Sequence, residues 1–141
     1  MKLFVAAKGI VLRNGKMLIL REAAAYSEGT ETGKWDVPGG RIEPHEPLLE
    51  GLAREIAEES GLHIDDPYVL DVQETFPTIH GEACHIVRLY FVAHALQGEV
   101  ALSNDHDNHL WIDPRDHNAH QLMEDLHSVC ETYLQKKQHN S

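Results

Sequence analysis

Long apolar runs are missing from this 141-residue chain. Stretches such as Leu89 to Ala93 fall far short of the roughly 18 residues a membrane span needs. The segment from Met1 to Lys8 has no apolar core long enough for a signal peptide, so a cytoplasmic protein without a membrane partner is expected. Cysteine is scarce too. Cys84 and Cys130 are the only two, with no paired spacing, which excludes a disulfide scaffold and points to reduced, partly buried thiols. The eleven His are scattered and show no zinc spacing, so most belong to the surface.

Positive charge is the scarcest resource. Twelve Lys and Arg face 23 Asp and Glu, a net charge of −11. No Lys or Arg stands between Arg54 and Arg88, while eight acids lie from Glu55 to Glu82. Such a surface repels nucleic-acid polymers and anionic membranes, whose binding depends on Lys and Arg neutralising phosphates. A protein of this charge that handles phosphates must recruit cations, most naturally a divalent metal. The apolar fraction of 42% is that of an ordinary globular chain, and the length suits one domain over 1–141.

What is present is a clear order of elements. Leu3 to Arg13 and Lys16 to Arg21 read as strands joined by Asn14-Gly15, a strong hairpin signal. Glu22 to Lys34 reads as an exposed loop, Trp35 to Val37 as a short strand, and Pro38-Gly39-Gly40 as a turn. Pro47 to Ser60 reads as a helix with Leu49, Leu52, Ala53 and Ile56 on its buried stripe and Gly61 as its stop. Asp65-Asp66-Pro67 marks a break. Tyr68 to Phe76 and Ala83 to Leu96 read as strands around a His80-Gly81 turn, followed by a short strand at Leu110 to Ile112. A C-terminal amphipathic helix is expected from Asn118 onward. The fold class is α/β, a mixed sheet packed between helices.

The middle helix concentrates the chemistry. Glu55, Glu58 and Glu59 project on one side of a single turn, where like charges repel and the C-terminal end of the helix dipole disfavours anions. Carboxylate oxygens in that arrangement suit Mg²⁺ or Mn²⁺. Arg54 can pair along the helix with Glu50 and Glu58. Gly39-Gly40 lets backbone approach a ligand closely, and Glu46 can cap the helix or brace the glycine segment.

The spacing of these residues resembles the Nudix box. Gly40, Glu46 and the run Arg54-Glu55-Ile56-Ala57-Glu58-Glu59-Ser60-Gly61-Leu62 match every defined position of that motif over residues 40–62. Trp35 to Gly40 is similar to the family's W-x-x-P-G-G entry, and Asp105 to Trp111 to its late acidic segment.

The resemblance implies an α/β/α sandwich. It also implies a metal-dependent hydrolase that cleaves the pyrophosphate of a nucleoside diphosphate linked to another group. A MutT-like nucleoside triphosphate pyrophosphohydrolase fits the small size. An ADP-ribose or nucleotide-sugar pyrophosphatase is the alternative, since Pro77 falls near a Pro that ADP-ribose-active members carry. A non-catalytic nucleotide-binding regulator is the reading from another class.

By position, the resemblance makes Glu55, Glu58 and Glu59 metal ligands, helped by the Gly40 carbonyl. Glu55 or Glu58 doubles as general base, and Arg54 orients a carboxylate. Glu46 and Gly39 become supporting residues, Asp105 a further catalytic acid ahead of Asp107, and Arg21 and Arg41 phosphate contacts. A small nucleotide is the expected partner, with a homodimer left open.

Overall fold

A computed structural model describes residues 1–24 and 33–139. Most of the expected exposed loop at 22–34 lies outside them.

Strand β1 (Lys2–Arg13) is the spine of the sheet. It pairs parallel with β7 (Glu82–Ala95) from Lys2 opposite Cys84 to Leu12 opposite His94. It also pairs antiparallel with β2 (Lys16–Glu22) at one end and with β4 (Gly39–Arg41) near its middle. Asn14 and Gly15 both take positive φ, 52° and 77°, as the hairpin turn requires. Beyond β2 lie β3 (Trp35–Asp36) and β8 (His106–Ile112), and beyond β7 lies β5 (Ile64–Thr75). The two-residue β6 (Thr78–Ile79) folds back on β7.

Strand alternation divides the core cleanly, because successive side chains point to opposite faces. Ala7, Val11, Leu18, Leu20 and Phe91 meet helix α1 (Leu48–Ser60) through Leu52 and Ile56. Ile10, Leu12, Met17, Ile19, Tyr90 and Val92 meet helix α2 (Glu124–His139) through Leu126, Val129 and Cys130. The result is the expected α/β/α layering with a mixed sheet.

Four local expectations are corrected. The buried stripe of α1 runs through Leu48, Gly51, Leu52, Ile56 and Ser60, while Leu49 is half exposed and Ala53 is exposed. Rotating the stripe this way brings Glu55 and Glu59 in against the sheet. Gly39-Gly40 is strand rather than turn, paired with Lys8 and Ala7. Asp65-Asp66-Pro67 does not break the chain. Asp66 takes φ 52° and β5 absorbs it as a bulge between Asp65 and Tyr68. The last helix starts at Glu124, because 114–119 form a separate 3-10 helix begun by Asp113, whose side chain accepts the Arg115 N–H.

Both cysteines are buried and free, as expected. Burial pushes the Cys130 thiol up to about 12. His117 departs from the surface expectation. It is buried, its Nδ1 is 2.9 Å from His127 Nδ1, and its Nε2 is 2.9 Å from Glu131 Oε1, so it stitches the 3-10 helix to α2.

Candidate active site

Two glycines decide where the acids of α1 sit. Gly39 lies on β4 with φ 141°, and a Cβ there would overlap the Ala7 carbonyl, so β4 can reach β1 only without a side chain. That close approach leaves the Gly39 N–H free to donate to Glu59 Oε1 at 2.8 Å. At Gly40 a Cβ would stand 2.5 Å from Glu55 Oε2, so the space over this residue belongs to the Glu55 carboxylate. The two glycines therefore serve two different glutamates, one by a donor and one by room.

Burial is the dominant influence on both. It pushes the Glu59 carboxyl up to about 7, against the nearby Lys8 charge and the Gly39 N–H. Burial also raises Glu55, with Arg54 opposing. Glu58 remains 57% exposed at its side chain, the one acid of the three that faces water freely.

Arg54 gathers the remaining charge. Its Nε and Nη2 grip Glu46 at 2.6 and 3.0 Å, a two-pronged pairing that also receives a contribution from the Glu43 N–H on Glu46 at 2.9 Å. Its Nη1 reaches Glu55 at 3.1 Å and Glu58 at 3.2 Å, and its Nη2 reaches the Arg41 carbonyl at 3.2 Å. Glu46 thus braces Arg54 and the 43–46 turn and makes no cap on α1, whose N-cap is Pro47. Glu50 is not among the hydrogen-bond partners of Arg54.

Behind the acids stands Lys8, in the middle of β1 with its side chain 12% exposed, paired with Asp36 Oδ2 at 2.8 Å. Burial pulls its ammonium down, but the Asp36 and Glu59 carboxylates outweigh that and hold it above its usual value. Its signal in the sequence is a single charge inside the apolar run from Leu3 to Leu12. His106 lies in the same field. Its Nδ1 is buried without a hydrogen-bond partner among the described residues, and burial together with Lys8 lowers its pKa.

Asp36 also opens onto the opposite face of the sheet, where a cavity of about 380 Å³ lies between β7 and the start of α2. Arg88 and Tyr90 rise from β7, and Thr75, Met123 and Asp125 are among the residues around them. Two backbone hydrogen bonds set the α2 side of this wall, Trp35 N–H to the Gln121 carbonyl and Met123 N–H to the Trp35 carbonyl, at 2.9 and 2.8 Å. Apart from Asp36 in the Trp35 to Gly40 entry and Pro77, none of these cavity residues is singled out by the sequence.

The more distant sequence candidates are placed as follows. The late acidic segment is mostly strand, since β8 begins at His106. Asp105 precedes it, with its carbonyl accepting the Ala23 N–H at 2.9 Å. Among the described residues no hydrogen bond or ion pair joins Asp105 to Glu55, Glu58 or Glu59. Asp107 is committed to Arg21, 2.7 Å from its Nε, and Arg21 also leans on the Trp35 ring. Arg41 stacks its guanidinium 3.6 Å from the Phe4 ring centroid.

Among the described residues no three acidic, His or Cys side chains converge tightly enough to close a metal shell by themselves. The donor set nonetheless suits a hard divalent cation. It consists of carboxylate oxygens, Glu58 is exposed, and Glu59 Oε2 has no hydrogen-bond partner among the described residues while its other oxygen is held by Gly39. A cation there would relieve the burial of Glu59.

Residues 3–131 match the NUDIX domain family model. The chain is 34% identical over 92 residues to the human 8-oxo-dGDP phosphatase NUDT18, which covers 65% of this chain and 25% of that protein. It thus spans about a quarter of that relative's length. It is 29% identical over 118 residues to the nucleoside triphosphatase NudI of Klebsiella pneumoniae strain 342, covering 76% of this chain and 79% of the relative. The crystal structure of the MutT NUDIX hydrolase from Burkholderia pseudomallei superposes with a TM-score of 0.79 at 26% identity, over 94% of this chain and 98% of that one. A match that spans nearly the whole chain, on a fold that packs the box helix against one face of the sheet, shows that the chain belongs to the Nudix hydrolase family.

Proposed function

We propose that the protein is a divalent-metal-dependent nucleoside triphosphate pyrophosphohydrolase of the MutT-like kind. The observation that carries this reading is the cradle formed by Gly39 and Gly40, which holds Glu59 by a backbone donor and gives Glu55 its space. Nudix enzymes generally use divalent metal ions and act on small nucleotides. NudI, whose length this chain covers by 79%, is a nucleoside triphosphatase by name, which supports a triphosphate substrate.

Glu55, Glu58 and Glu59, with the Gly40 carbonyl, would hold Mg²⁺ or Mn²⁺. When bound, the ion supplies charge neutralisation on the phosphate oxygens and a lowered pKa for water. The protein's own residues do the rest. Arg54 holds Glu55 and Glu58 in register, and Glu46 holds Arg54. Glu58, the exposed acid, takes the proton of the attacking water, with Asp105 as the candidate that would approach from the start of β8. Arg21 and Arg41 would reach phosphates only after leaving Asp107 and Phe4. The cavity beyond Asp36 takes the nucleoside, so that Lys8 and Asp36 join the base-binding side to the acidic side.

A second reading has one observation in its favour. Pro77 lines the cavity, and the related ADP-ribose-active members carry a Pro near that place. A panel of nucleoside triphosphates, ADP-ribose, nucleotide sugars and dinucleoside polyphosphates in Mg²⁺ separates the two. Release of nucleoside monophosphate and pyrophosphate from a triphosphate, at the highest kcat/KM of the panel, is expected. Preference for ADP-ribose or a nucleotide sugar would replace the first reading with the second. Selective nucleotide binding without turnover of any member would make the protein a regulator.

A further inference from the structure

The cavity on the α2 face holds a cation with much of its hydrogen-bonding capacity unused. Arg88 lies on β7 between Ile86 and Tyr90, and all three line the same cavity. Its Nη1 donates to Thr75 Oγ1 at 2.7 Å and lies 3.9 Å from Asp125 Oδ2. Among the described residues, Nε and Nη2 meet no acceptor. The side chain is only 23% exposed and lines the cavity, so these donors have little access to open solvent. A guanidinium presents five N–H groups in a rigid plane, and leaving several unmet in a recess costs free energy that a ligand recovers. Around Arg88 stand the carboxylates of Asp36 and Asp125, which accept and cannot donate. Lys34 adds a point charge and Tyr90 and Thr78 add hydroxyls to the lining, but among the described lining residues Arg88 alone presents a planar donor fork.

We propose that Arg88 reads the base of the bound nucleotide and selects one with a carbonyl oxygen beside an unprotonated ring nitrogen, that is, guanine or cytosine. The proposal rests on the reading of this cavity as the nucleoside site. A guanidinium fork pairs with two adjacent acceptors, which guanine offers at O6 and N7 and cytosine at O2 and N3. Adenine has no carbonyl, and its N6 amino group would meet the fork donor to donor. Uracil and thymine place the N3–H beside each carbonyl and break the acceptor pair. Guanine and cytosine also present amino groups that a neighbouring carboxylate can accept, as Asp and Glu do from cytosine N4.

The test is binding of the non-hydrolysable α,β-methylene triphosphates of guanosine, cytidine, adenosine and uridine to the whole protein in Mg²⁺, by calorimetry. The guanosine or the cytidine analogue should bind at least about tenfold tighter than both the adenosine and uridine analogues, and the two favoured arms identify which base is read. Arg88→Lys keeps the charge and loses the fork, and Arg88→Met loses both. In each, the four affinities should fall within about threefold of one another. Melting temperatures of both variants report whether the fold survives, and the lysine variant serves should the methionine variant not fold. Equal affinities in the wild type, an adenine or uracil preference, or selectivity that persists in a folded variant would overturn the proposal. Parallel turnover assays with the unmodified triphosphates keep the two claims apart. Selective binding without turnover removes the hydrolase reading and leaves Arg88 its role, whereas turnover without base selectivity removes only the role of Arg88.

Discussion

The two faces of the sheet solve different problems with different kinds of sequence. On the α1 face, Glu55, Glu58 and Glu59 all come from one helix, and the two glycines that seat Glu55 and Glu59 come from the short strand before it, within residues 39–59. On the α2 face, the cavity draws on β3, β5, β6, β7 and the start of α2, segments separated by up to about ninety residues. The first is a local arrangement whose geometry follows from helix periodicity and two glycines. The second exists only after the parallel β1–β7 pairing and the Trp35 backbone bonds have brought distant segments together. Chemistry common to a family can be written in a contiguous stretch, while the features that distinguish its substrates are spread over the fold.

The comparison can be broken first at the acids. Glu59→Gln and Glu58→Gln should each lower kcat by at least about a hundredfold with the fold retained, as seen by steady-state kinetics beside circular dichroism. A near wild-type kcat in either would detach the chemistry from the α1 face. Next comes the glycine that lets β4 approach β1. Gly39→Ala must place a side chain at positive φ against the Ala7 backbone, so denaturant unfolding should show a loss of about 3 kcal/mol or more. Gly40→Ala meets the flexible Glu55 side chain first, and its loss should appear mainly in kcat.

The Glu59 carboxyl makes a pH prediction for the metal-free protein. Burial raises it from the ordinary 4.5 to about 7, so the folded state favours the protonated form. Stability relative to Glu59→Gln should therefore fall as pH rises from 4.5 to 7, by roughly 2–3 kcal/mol, and stay level above. Thermal unfolding across that range in chelator checks it, and a flat difference would mean that Glu59 is better solvated than the structure places it.

The smallest effect concerns the late segment. Asp105→Asn should lower kcat by about tenfold if Asp105 serves the water, whereas Asp107→Asn, which frees Arg21 to reach a phosphate, should shift KM and leave kcat unchanged. Equal kinetics in both would return this segment to a structural part.

How much of this was legible in the chain follows the same division. The box acids, the Asn14-Gly15 hairpin and the Gly61 stop depend on neighbours a few residues away, and the structure has them where the pattern put them. Asp65-Asp66-Pro67 misled because punctuation residues that usually end a strand are tolerated here as a bulge, with β7 supporting both sides. Leu49 misled because its spacing fits a helical stripe as well as Leu48 does, and only the sheet decides which is buried. Lys8 was visible as a charge in an apolar strand, but its partner Asp36 lies 28 positions away. Arg88 and Thr75 face each other across two strands, a pairing no local pattern encodes.

In the proposed function, the acids held over Gly39 and Gly40 act through a divalent cation. This is tested most directly by following hydrolysis of a nucleoside triphosphate by the wild-type protein before chelation, after exhaustive EDTA treatment, and after return of Mg²⁺ or Mn²⁺. Turnover should vanish on chelation and return with the metal, and Glu59→Gln should recover little under the same return. Undiminished turnover after rigorous chelation would contradict action through a cation.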